Sequence, residues 1–403
     1  MSNFTMAAGE KADELPLLLY SHGACVRHEM PDDSPESPDR LSTVLEALSK
    51  NFPSVELRDA PEVTVDQLVH PTGPHDVDYV NRVLSVFEEA KAAGPGTAIS
   101  DLDDEGDTFV MEHTGEAAMR AAGAAVAAVD AVLAGECRSA FAAVRPPGHH
   151  AESKACMGFC FFNNVAVGAW HARRAYGLRR IAVVDFDVHH GNGTQQMFQD
   201  DPELFYASTH QGPNFFPGTG KKTERGVAGN IVNVLLKRGQ GSTAFRKAME
   251  KSVLPALRAF RPELLIISAG FDAHTKDPLA DIRLQVTDYE WATQALLSAA
   301  ARESMCRGRV VSVLEGGYDL PSLGECVVAH VDQLQRLSSA VLAHALVEGG
   351  LAEDPPVLSA ATGATTAKSA QAGIWDRYEK DKERARVSAA GGASVAAAVG
   401  AAR

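Results

Sequence analysis

The sequence is poor in cysteine and has no long apolar segment. Its 403 residues include six cysteines, none of them in a CxxC pair. This argues against a disulfide framework or a zinc ribbon and is typical of reduced thiols in a cytosolic compartment. No run of about 20 apolar residues is present, so we expect no transmembrane helix. The acidic residues Glu10, Asp13 and Glu14 are unlike a secretory signal peptide, and we therefore expect a cytoplasmic location, with a nuclear one left open.

Basic residues are also scarce relative to acidic ones. The chain has 38 Lys and Arg against 52 Asp and Glu, which gives a formal net charge of -14. Direct nucleic-acid binding requires a basic face and is therefore not expected. The acidic balance instead favours cationic partners such as lysine-rich protein tails or polyamines. The sequence leaves oligomerisation open.

Composition divides the chain into three parts. Residues 1–14 form a polar leader that we expect to be flexible, and residues 15–348 have the mixed composition of a large folded domain. Residues 349–403 form an Ala-rich low-complexity tail in which we expect at most one short helix.

Short apolar runs alternate with helical patterns along the main part of the chain. The runs are rich in β-branched residues and do not alternate with polar ones, which is typical of strands buried on both faces. The predicted strands are 17–20, 141–144, 181–186, 204–208, 231–236, 264–268 and 310–314. This alternation predicts a mostly parallel sheet covered by helices on both faces.

The stretch from 181 to 193 contains the clearest chemical signal. A strand-like run ends in two aspartates and two histidines, which places polar groups where open α/β sheets bind ligands. Asp187 and His189 are two residues apart, so an extended backbone points both side chains the same way. One carboxylate and one imidazole make half of a zinc site, and Asp272, after another predicted strand, offers a third ligand.

Three other strand ends carry similar polar groups. These are 145–151, with adjacent histidines, 268–272 and 315–319. Because the carboxyl ends of parallel strands meet at one edge of the sheet, all four polar segments should converge. The sequence therefore predicts a metal-hydrolase site at that edge.

The motifs RPPGHHA, DFDVHHGNGTQ, FFPGTG, SAGFDAH and LEGGYDL resemble the zinc-dependent histone deacetylase superfamily, which includes acetylpolyamine amidohydrolases. The resemblance spans roughly residues 15–345, so the domain at 15–348 is expected to be catalytic. It implies an arginase-like three-layer α/β fold, with a central eight-stranded, mostly parallel sheet covered by helices on both faces. It also implies hydrolysis of an N-acetyl amide to an amine and acetate, most simply on acetyl-lysine in proteins.

The resemblance also implies one catalytic Zn²⁺. The residues that match its ligands are Asp187, His189 and Asp272. Three protein ligands leave positions open for water and the acetyl carbonyl, as a catalytic zinc requires.

The matching catalytic residues are His149, His150, Tyr318, Asp185 and Asn192. In the family pattern, His150 would act as general base and then acid, with His149 as an electrostatic helper. Tyr318 would donate to the developing oxyanion. Asp185 and Asn192 would hydrogen-bond the first and second histidines. Asn192 is typical of a class II-like member and should leave His150 less basic than a carboxylate would.

Substrate contacts follow from the same resemblance. Phe159 and Phe216 match the walls of a narrow tunnel for the aliphatic stem of the acylated amine, and Gly158 lies beside them. Leu279 and Asp107 correspond to positions at the tunnel mouth, where Asp107 could bind a substrate backbone amide.

Two further groups carry implied roles. Arg40 matches a buried arginine on the acetate-exit side. A structural K⁺, bound mostly by backbone carbonyls, is implied at Asp185, Asp187, His189, Ser208 and Thr209.

Three other functions are alternatives to protein deacetylation. A binuclear manganese ureohydrolase is disfavoured because Gly191 and His274 stand where extra aspartates would be needed. Acetylpolyamine hydrolysis, or hydrolysis of another small N-acetylated amine, stays open, although the apolar Leu279 offers no charge for a second ammonium. A catalytically silent acyl-lysine-binding scaffold is disfavoured because Tyr318 and every matched catalytic position are intact.

Overall fold

A sheet of eight parallel strands lies at the centre of the fold. The computed structural model describes residues 16–69, 74–100, 102–103, 106–302 and 306–348, and the expected leader and tail lie outside these ranges. The strand order is β2-β1-β3-β8-β7-β4-β5-β6. The strands are β1 (Leu17–Ser21), β2 (Glu56–Asp59), β3 (Ser139–Ala142), β4 (Ile181–Asp185), β5 (Leu204–Gln211), β6 (Ile231–Leu236), β7 (Leu264–Ala269) and β8 (Val310–Leu314).

Helices cover both faces of this sheet. All residues of β1, β3, β4, β5, β7 and β8 are buried, although successive side chains point to opposite faces, so both faces must be covered. The helices are α1 (Gly23–Arg27), α2 (Pro38–Asn51), α3 (Val65–Leu68), α4 (Val77–Ala93), α5 (Thr114–Leu133), α6 (Asn164–Tyr176), α7 (Asn192–Phe198), α8 (Ser242–Ala248), α9 (Leu254–Phe260), α10 (Val286–Arg302) and α11 (Leu320–Glu348), with a π-helical segment (Met249–Val253) between α8 and α9. The predicted three-layer fold is confirmed.

The edge strand β2 is the one strand that its own residues did not predict. Its sequence is ELRD, and only Leu57 is buried. An edge strand with three polar residues out of four carries neither an apolar run nor a clean alternation. The eighth strand was therefore expected only from the family resemblance.

The strand order explains why the polar segments meet. Strands β3, β8, β7 and β4 are consecutive neighbours in the sheet, and each is followed by one of the four polar segments. In the β4–β7 pair, Asp185 lies opposite Ser268, so Asp187 and Asp272 leave the sheet side by side. A parallel sheet thus brings together residues as far apart in the chain as Gly148 and Glu315, which are 167 positions apart.

The six cysteines are buried and free, which agrees with the expectation of reduced thiols. Among the described residues, no helix combines the length and the apolar character needed to cross a membrane.

Helix α5 packs unusually closely on the segment that follows β2. A Cβ atom placed on Gly123 would lie 1.9 Å from the carbonyl oxygen of Pro61 and 2.8 Å from the nitrogen of Val63. In helix α6, a Cβ on Gly168 would come no closer than 3.5 Å to Ala125, an ordinary contact. The two helical glycines therefore stand in opposite situations.

We expect Gly123→Ala to lower the free energy of unfolding by about 2–3 kcal/mol, because the backbone of the neighbouring segment must move. Gly168→Ala is the matched control and should raise that free energy by up to about 1 kcal/mol, because alanine is the better helix former. Denaturant unfolding of both variants measures the difference. Equal effects would contradict the close approach.

Candidate active site

Three potential metal ligands lie together at the carboxyl ends of β4 and β7. The ligand atoms of Asp187, His189 and Asp272 all lie within 4.8 Å of one another, and all three residues are buried. Nδ1 of His189 is 3.0 Å from Oδ2 of Asp272 and 3.2 Å from Oδ1 of Asp187. Backbone N–H groups fix the remaining oxygens: Gly316 donates to Oδ2 of Asp187 at 2.8 Å, and Val188 donates to Oδ1 of Asp272 at 2.7 Å.

The electrostatics of this trio favour a cation. Burial and the charge of Asp187 raise the pKa of Asp272 to about 7. Burial opposes the charged form of His189, but its hydrogen bonds to the carboxylates of Asp187 and Asp272 outweigh burial and raise the pKa of His189 to about 10. Two buried carboxylates thus face a single imidazole. A metal cation bound by the same oxygen and nitrogen atoms would balance the carboxylate charge, so this ligand set fits Zn²⁺.

His149 is held in a chain of hydrogen bonds. Its Nδ1 lies 3.0 Å from Oδ2 of Asp185, which also accepts the Tyr206 hydroxyl at 2.9 Å. Burial would lower the pKa of His149, but the charges of Asp187 and Asp185 raise it to about 10. His149 can therefore carry a positive charge beside the candidate metal ligands.

His150 has a different partner and a different charge state. Its Nδ1 lies 2.8 Å from Oδ1 of Asn192, whose amide nitrogen donates to Glu152 at 2.8 Å. Because that amide oxygen can only accept, the His150 proton sits on Nδ1 and Nε2 keeps its lone pair. Burial, followed by the charges of His149 and His189, holds the pKa of His150 well below its usual value. The expected Asn192 contact is present and fixes the orientation of the His150 ring, while burial disfavours its charged form.

Glu315 fixes the backbone of the two histidines. Its Oε2 accepts the N–H groups of Gly148 at 2.7 Å and His149 at 3.2 Å, and its Oε1 accepts the hydroxyl of Ser268 at 2.8 Å. Burial raises the pKa of Glu315 to about 7. One side chain thus joins the segments after β3, β7 and β8.

A pocket of about 180 Å³ reaches His150, His189 and Tyr318. It is lined by Asp107, His150, Gly158, Phe159, His189, Phe215, Phe216, Leu279 and Tyr318. All five residues that the sequence predicted for substrate contact are present in this lining. The aromatic rings make the pocket suitable for an apolar stem.

Two backbone features shape the pocket wall. Gly158 has φ +56, and a Cβ there would lie 2.6 Å from Cδ2 of His150, so only glycine fits. Phe159 has φ 69, an uncommon conformation for a residue with a side chain. Its N–H donates to the Thr108 hydroxyl at 3.1 Å, and its ring meets that of Tyr318 edge-on at 6.1 Å.

At the pocket mouth, Asp107 is already engaged within the protein. Its Oδ1 accepts the Gly158 N–H at 3.1 Å and the Thr108 hydroxyl at 2.8 Å. Burial raises the pKa of Asp107. Asp107 therefore supports the wall of the pocket, and the apolar Leu279 is also part of the lining.

Arg40 lies beneath Tyr318 rather than at the pocket surface. Its guanidinium donates to the carbonyl oxygens of Gly317 and Glu315, each at 2.6 Å, and sits 4.6 Å from the centre of the Tyr318 ring. The N–H of Tyr318 donates to Oδ2 of Asp277 at 2.7 Å. The turn that carries Tyr318 is therefore held from both sides.

A buried carboxylate links this turn to the histidine segment. Glu36 accepts from Arg40 at 2.8 Å and from Arg145 at 2.5 and 2.6 Å, while Arg145 also donates to the carbonyl oxygens of Cys25 and His28. Burial would raise the pKa of Glu36, but Arg145 and then Arg40 lower it to about 2. Paired in this way, the buried charges gain the hydrogen bonds that offset their desolvation.

The residues expected to bind K⁺ are also close together. Asp185 of β4 lies opposite Ser208 of β5, and Thr209 follows directly. The Thr209 hydroxyl oxygen is buried without a hydrogen-bond partner among the described residues, on the strand that pairs with that of Asp185, so it could be a ligand of a cation.

Several site residues were not predicted from the sequence. Phe215 stacks on His189 with ring centres 5.1 Å apart and planes 11° apart. Glu36 binds Arg145, 109 positions away, and Glu315 binds the N–H of Gly148, 167 positions away. The motifs FFPGTG and LEGGYDL contain two of these three residues, but only the geometry reveals what they contact.

Comparison with known proteins gives concordant matches. The family model for the histone deacetylase domain matches residues 34–334. Histone deacetylase 14, chloroplastic, of Arabidopsis thaliana is 37% identical over 326 residues, which cover 77% of this chain and 74% of the relative. A histone deacetylase-like amidohydrolase of Pseudomonas aeruginosa is 38% identical over 312 residues, with 77% and 78% covered.

A solved structure agrees with these matches. The crystal structure of the HDA15 HD domain superposes with a TM-score of 0.71 at 31% identity, covering 82% of this chain and 95% of that one. The residues matched by the family model include all the segments that form the site. The chain therefore belongs to the histone deacetylase family of hydrolases.

Proposed function

We propose that this protein is a zinc-dependent amidohydrolase that removes acetyl groups from the ε-amine of acetyl-lysine in proteins. The observation that carries the proposal is the buried trio Asp187, His189 and Asp272 at the end of an aromatic pocket. An acyl amide must reach such a trio on a narrow apolar stem, and a lysine side chain has that shape.

One catalytic zinc ion would be held by Asp187, His189 and Asp272. Three protein ligands leave coordination positions open. When bound, zinc supplies Lewis acidity, which polarises the acyl carbonyl and makes water a better nucleophile.

His150 is the proposed general base and acid. Its Nε2 keeps a lone pair because Nδ1 donates to Asn192, so Nε2 can take a proton from the attacking water and return it to the leaving amine. His149, oriented by Asp185, contributes positive charge next to the developing negative charge.

Tyr318 is the proposed oxyanion donor. Arg40 beneath its ring and Asp277 at its backbone N–H hold the turn, so the hydroxyl does not need to be reordered during the reaction. Burial raises the pKa of Tyr318, which keeps its hydroxyl protonated and able to donate. Arg40 matches the family's buried arginine and would therefore lie on the side from which acetate leaves.

The substrate class rests on the pocket walls and mouth. Phe159 and Phe216 would grip the four-carbon stem, and Leu279 offers no charge for the second ammonium of an acetylpolyamine. The acidic balance of the chain and the presence of Asp107 in the lining keep acetylpolyamines, or another small acetylated amine, as the alternative substrate.

The proposal also includes a structural ion, the binding partner and the location in the cell. A structural K⁺ would be held at Asp185, Asp187, His189, Ser208 and Thr209. The partner is an acetylated protein or amine and not nucleic acid, and the location is cytoplasmic. The domain at 15–348 would carry the activity.

Removal of the metal tests the ligand assignment. Chelator should abolish hydrolysis, and zinc should restore it at about one equivalent per chain. Asp272→Asn should weaken zinc binding by more than about a hundredfold, because it removes a ligand charge. Asp277→Asn is the matched control, a nearby buried carboxylate outside the trio. Measured zinc contents that did not differ between the two variants would refute the assignment.

The hydroxyl of Tyr318 can be removed alone. Tyr318→Phe should lower kcat at least about a hundredfold with zinc content kept, because a preorganised oxyanion donor is lost. Tyr176→Phe is the control, since that hydroxyl donates to Asp130 away from the pocket. Steady-state kinetics on an acetylated peptide decides, and near-wild-type turnover of Tyr318→Phe would remove its proposed role.

The mouth residue tests substrate choice. Leu279→Glu should raise kcat/KM for N8-acetylspermidine relative to an acetyl-lysine peptide by about tenfold, because a carboxylate attracts the second ammonium. Leu279→Gln, similar in size and neutral, should change the ratio little. A ratio that is equal in both variants would show that this position does not read the substrate.

A further inference from the structure

We propose that His190 and His210 are positioning residues that fix the aromatic wall of the pocket to the segment carrying the metal ligand His189. They fasten one end of the aromatic loop, defined here as residues 212–220. This role adds to the proposed function. It rests on that function, because only the proposed function identifies the pocket as a tunnel for an apolar stem.

The aromatic loop has its functional residues in the middle and its anchors at the ends. At its start, the N–H of Gly212 donates to the carbonyl of Leu236 at 2.9 Å. In the middle, Phe215 stacks on His189 and Phe216 meets His150 edge-on with ring centres 5.1 Å apart. The two phenylalanines can hold these positions only if the second end of the loop is also fastened.

His190 fastens that second end through Thr219. Its Nε2 is 3.0 Å from Oε1 of Gln195, an amide oxygen that also accepts from Asn233 at 2.6 Å. The Gln195 amide nitrogen donates to Glu224, so the oxygen is an acceptor and Nε2 of His190 must carry the proton. Nδ1 of His190 is then an acceptor, and the hydroxyl of Thr219 donates to it at 2.7 Å.

His210 holds the next residue of the loop. Its Nε2 donates to the carbonyl oxygen of Gly220 at 3.0 Å, and its Nδ1 accepts the Ser208 hydroxyl at 2.8 Å. The N–H of Gly220 donates to Glu224 at 3.1 Å. Both polar backbone groups of Gly220 are therefore satisfied, and burial lowers the pKa of both imidazoles.

The two imidazoles leave no space for a side chain at Gly220. Their ring centres are 4.8 Å apart, and a Cβ on Gly220 would lie 2.5 Å from Nε2 of His210 and 2.6 Å from Cγ of His190. Gly218, in the same loop, has nearly the same φ, +85 against +81, but a Cβ there meets nothing within 4 Å. The chain thus supplies a matched pair of positions.

The contact has a direct consequence for binding. His190 follows His189 in the chain, so the segment that carries a metal ligand also holds the loop that stacks on that ligand. Loosening the loop should therefore weaken binding of an apolar stem and leave binding at the metal itself nearly unchanged.

The main test compares Gly220→Ala with Gly218→Ala. Both variants add the same strain of a left-handed residue, but only Gly220→Ala displaces the imidazoles. With zinc-loaded protein, the dissociation constant for octanohydroxamic acid, which has a stem, should rise about tenfold more in Gly220→Ala than in Gly218→Ala. Acetohydroxamic acid, which reaches the metal without a stem, should bind both variants alike.

A milder pair of variants checks the hydroxyl contact. Thr219→Val removes the donor to His190 with little change of shape, and Thr219→Ser keeps it. For an acetyl-lysine substrate, Thr219→Val should raise KM about fivefold with kcat within about twofold, and Thr219→Ser should restore the wild-type KM. A fall in kcat with KM unchanged in Thr219→Val would contradict a role in positioning the wall.

Amide hydrogen exchange separates this proposal from the proposed function. Peptides covering residues 212–220 should exchange faster in Gly220→Ala than in Gly218→Ala, whether or not the protein binds zinc or hydroxamates. Equal exchange would overturn the role of His190 and His210. Failure of the wild-type protein to bind zinc and either hydroxamate would instead overturn the proposed function, with the exchange result still deciding the role of the two histidines.

Discussion

The burial of several carboxylates at one edge of the sheet is the constraint on which the rest of the structure depends. Asp185, Asp187, Asp272 and Glu315 are all buried at the carboxyl ends of three neighbouring strands, β4, β7 and β8. Such a concentration of charge is unfavourable unless each oxygen has a donor or a cation. Backbone N–H groups, serine and tyrosine hydroxyls and two imidazoles supply the donors, and the trio around His189 fits a metal cation.

This constraint also explains the second layer of the site. The Glu36 carboxylate joins Arg40 to Arg145, so the turn carrying Tyr318 and the segment carrying the tandem histidines share one buried support. The other N–H groups of Arg40 donate to the backbone carbonyl oxygens of Gly317 and Glu315, which need a hydrogen-bond partner when they are buried. The geometry of the site is thus supported by charge pairing among residues that do not line the pocket.

Much of the fold and of the central site could be predicted from the sequence because its signals are local. Asp187 and His189 share a strand end, and the parallel topology brings Asp272 to them. The contacts of His149 with Asp185 and of His150 with Asn192 occur as expected from the motifs. The same holds for the apolar strands, whose burial on both faces leaves a continuous β-branched pattern.

The remaining features depend on distances that no local pattern encodes. Strand β2 pairs at the sheet edge through its backbone, so its polar side chains gave no signal. The sequence gives no way to tell that Phe215, rather than Phe216, stacks on His189, because adjacent aromatics differ only in backbone direction. Asp107 lines the pocket as expected, but no pattern in the sequence indicates that its carboxylate oxygen Oδ1 also accepts from Gly158 and Thr108.

We propose that the pocket binds the acetyl-lysine side chains of proteins for deacetylation. The most direct test is kcat/KM of the zinc-loaded protein for an acetyl-lysine peptide, N8-acetylspermidine and a plain N-acetyl-arylalkylamine, measured side by side. The account predicts a clear preference for the peptide. Preference for either small amine, or no turnover of any of the three with zinc bound, would contradict it.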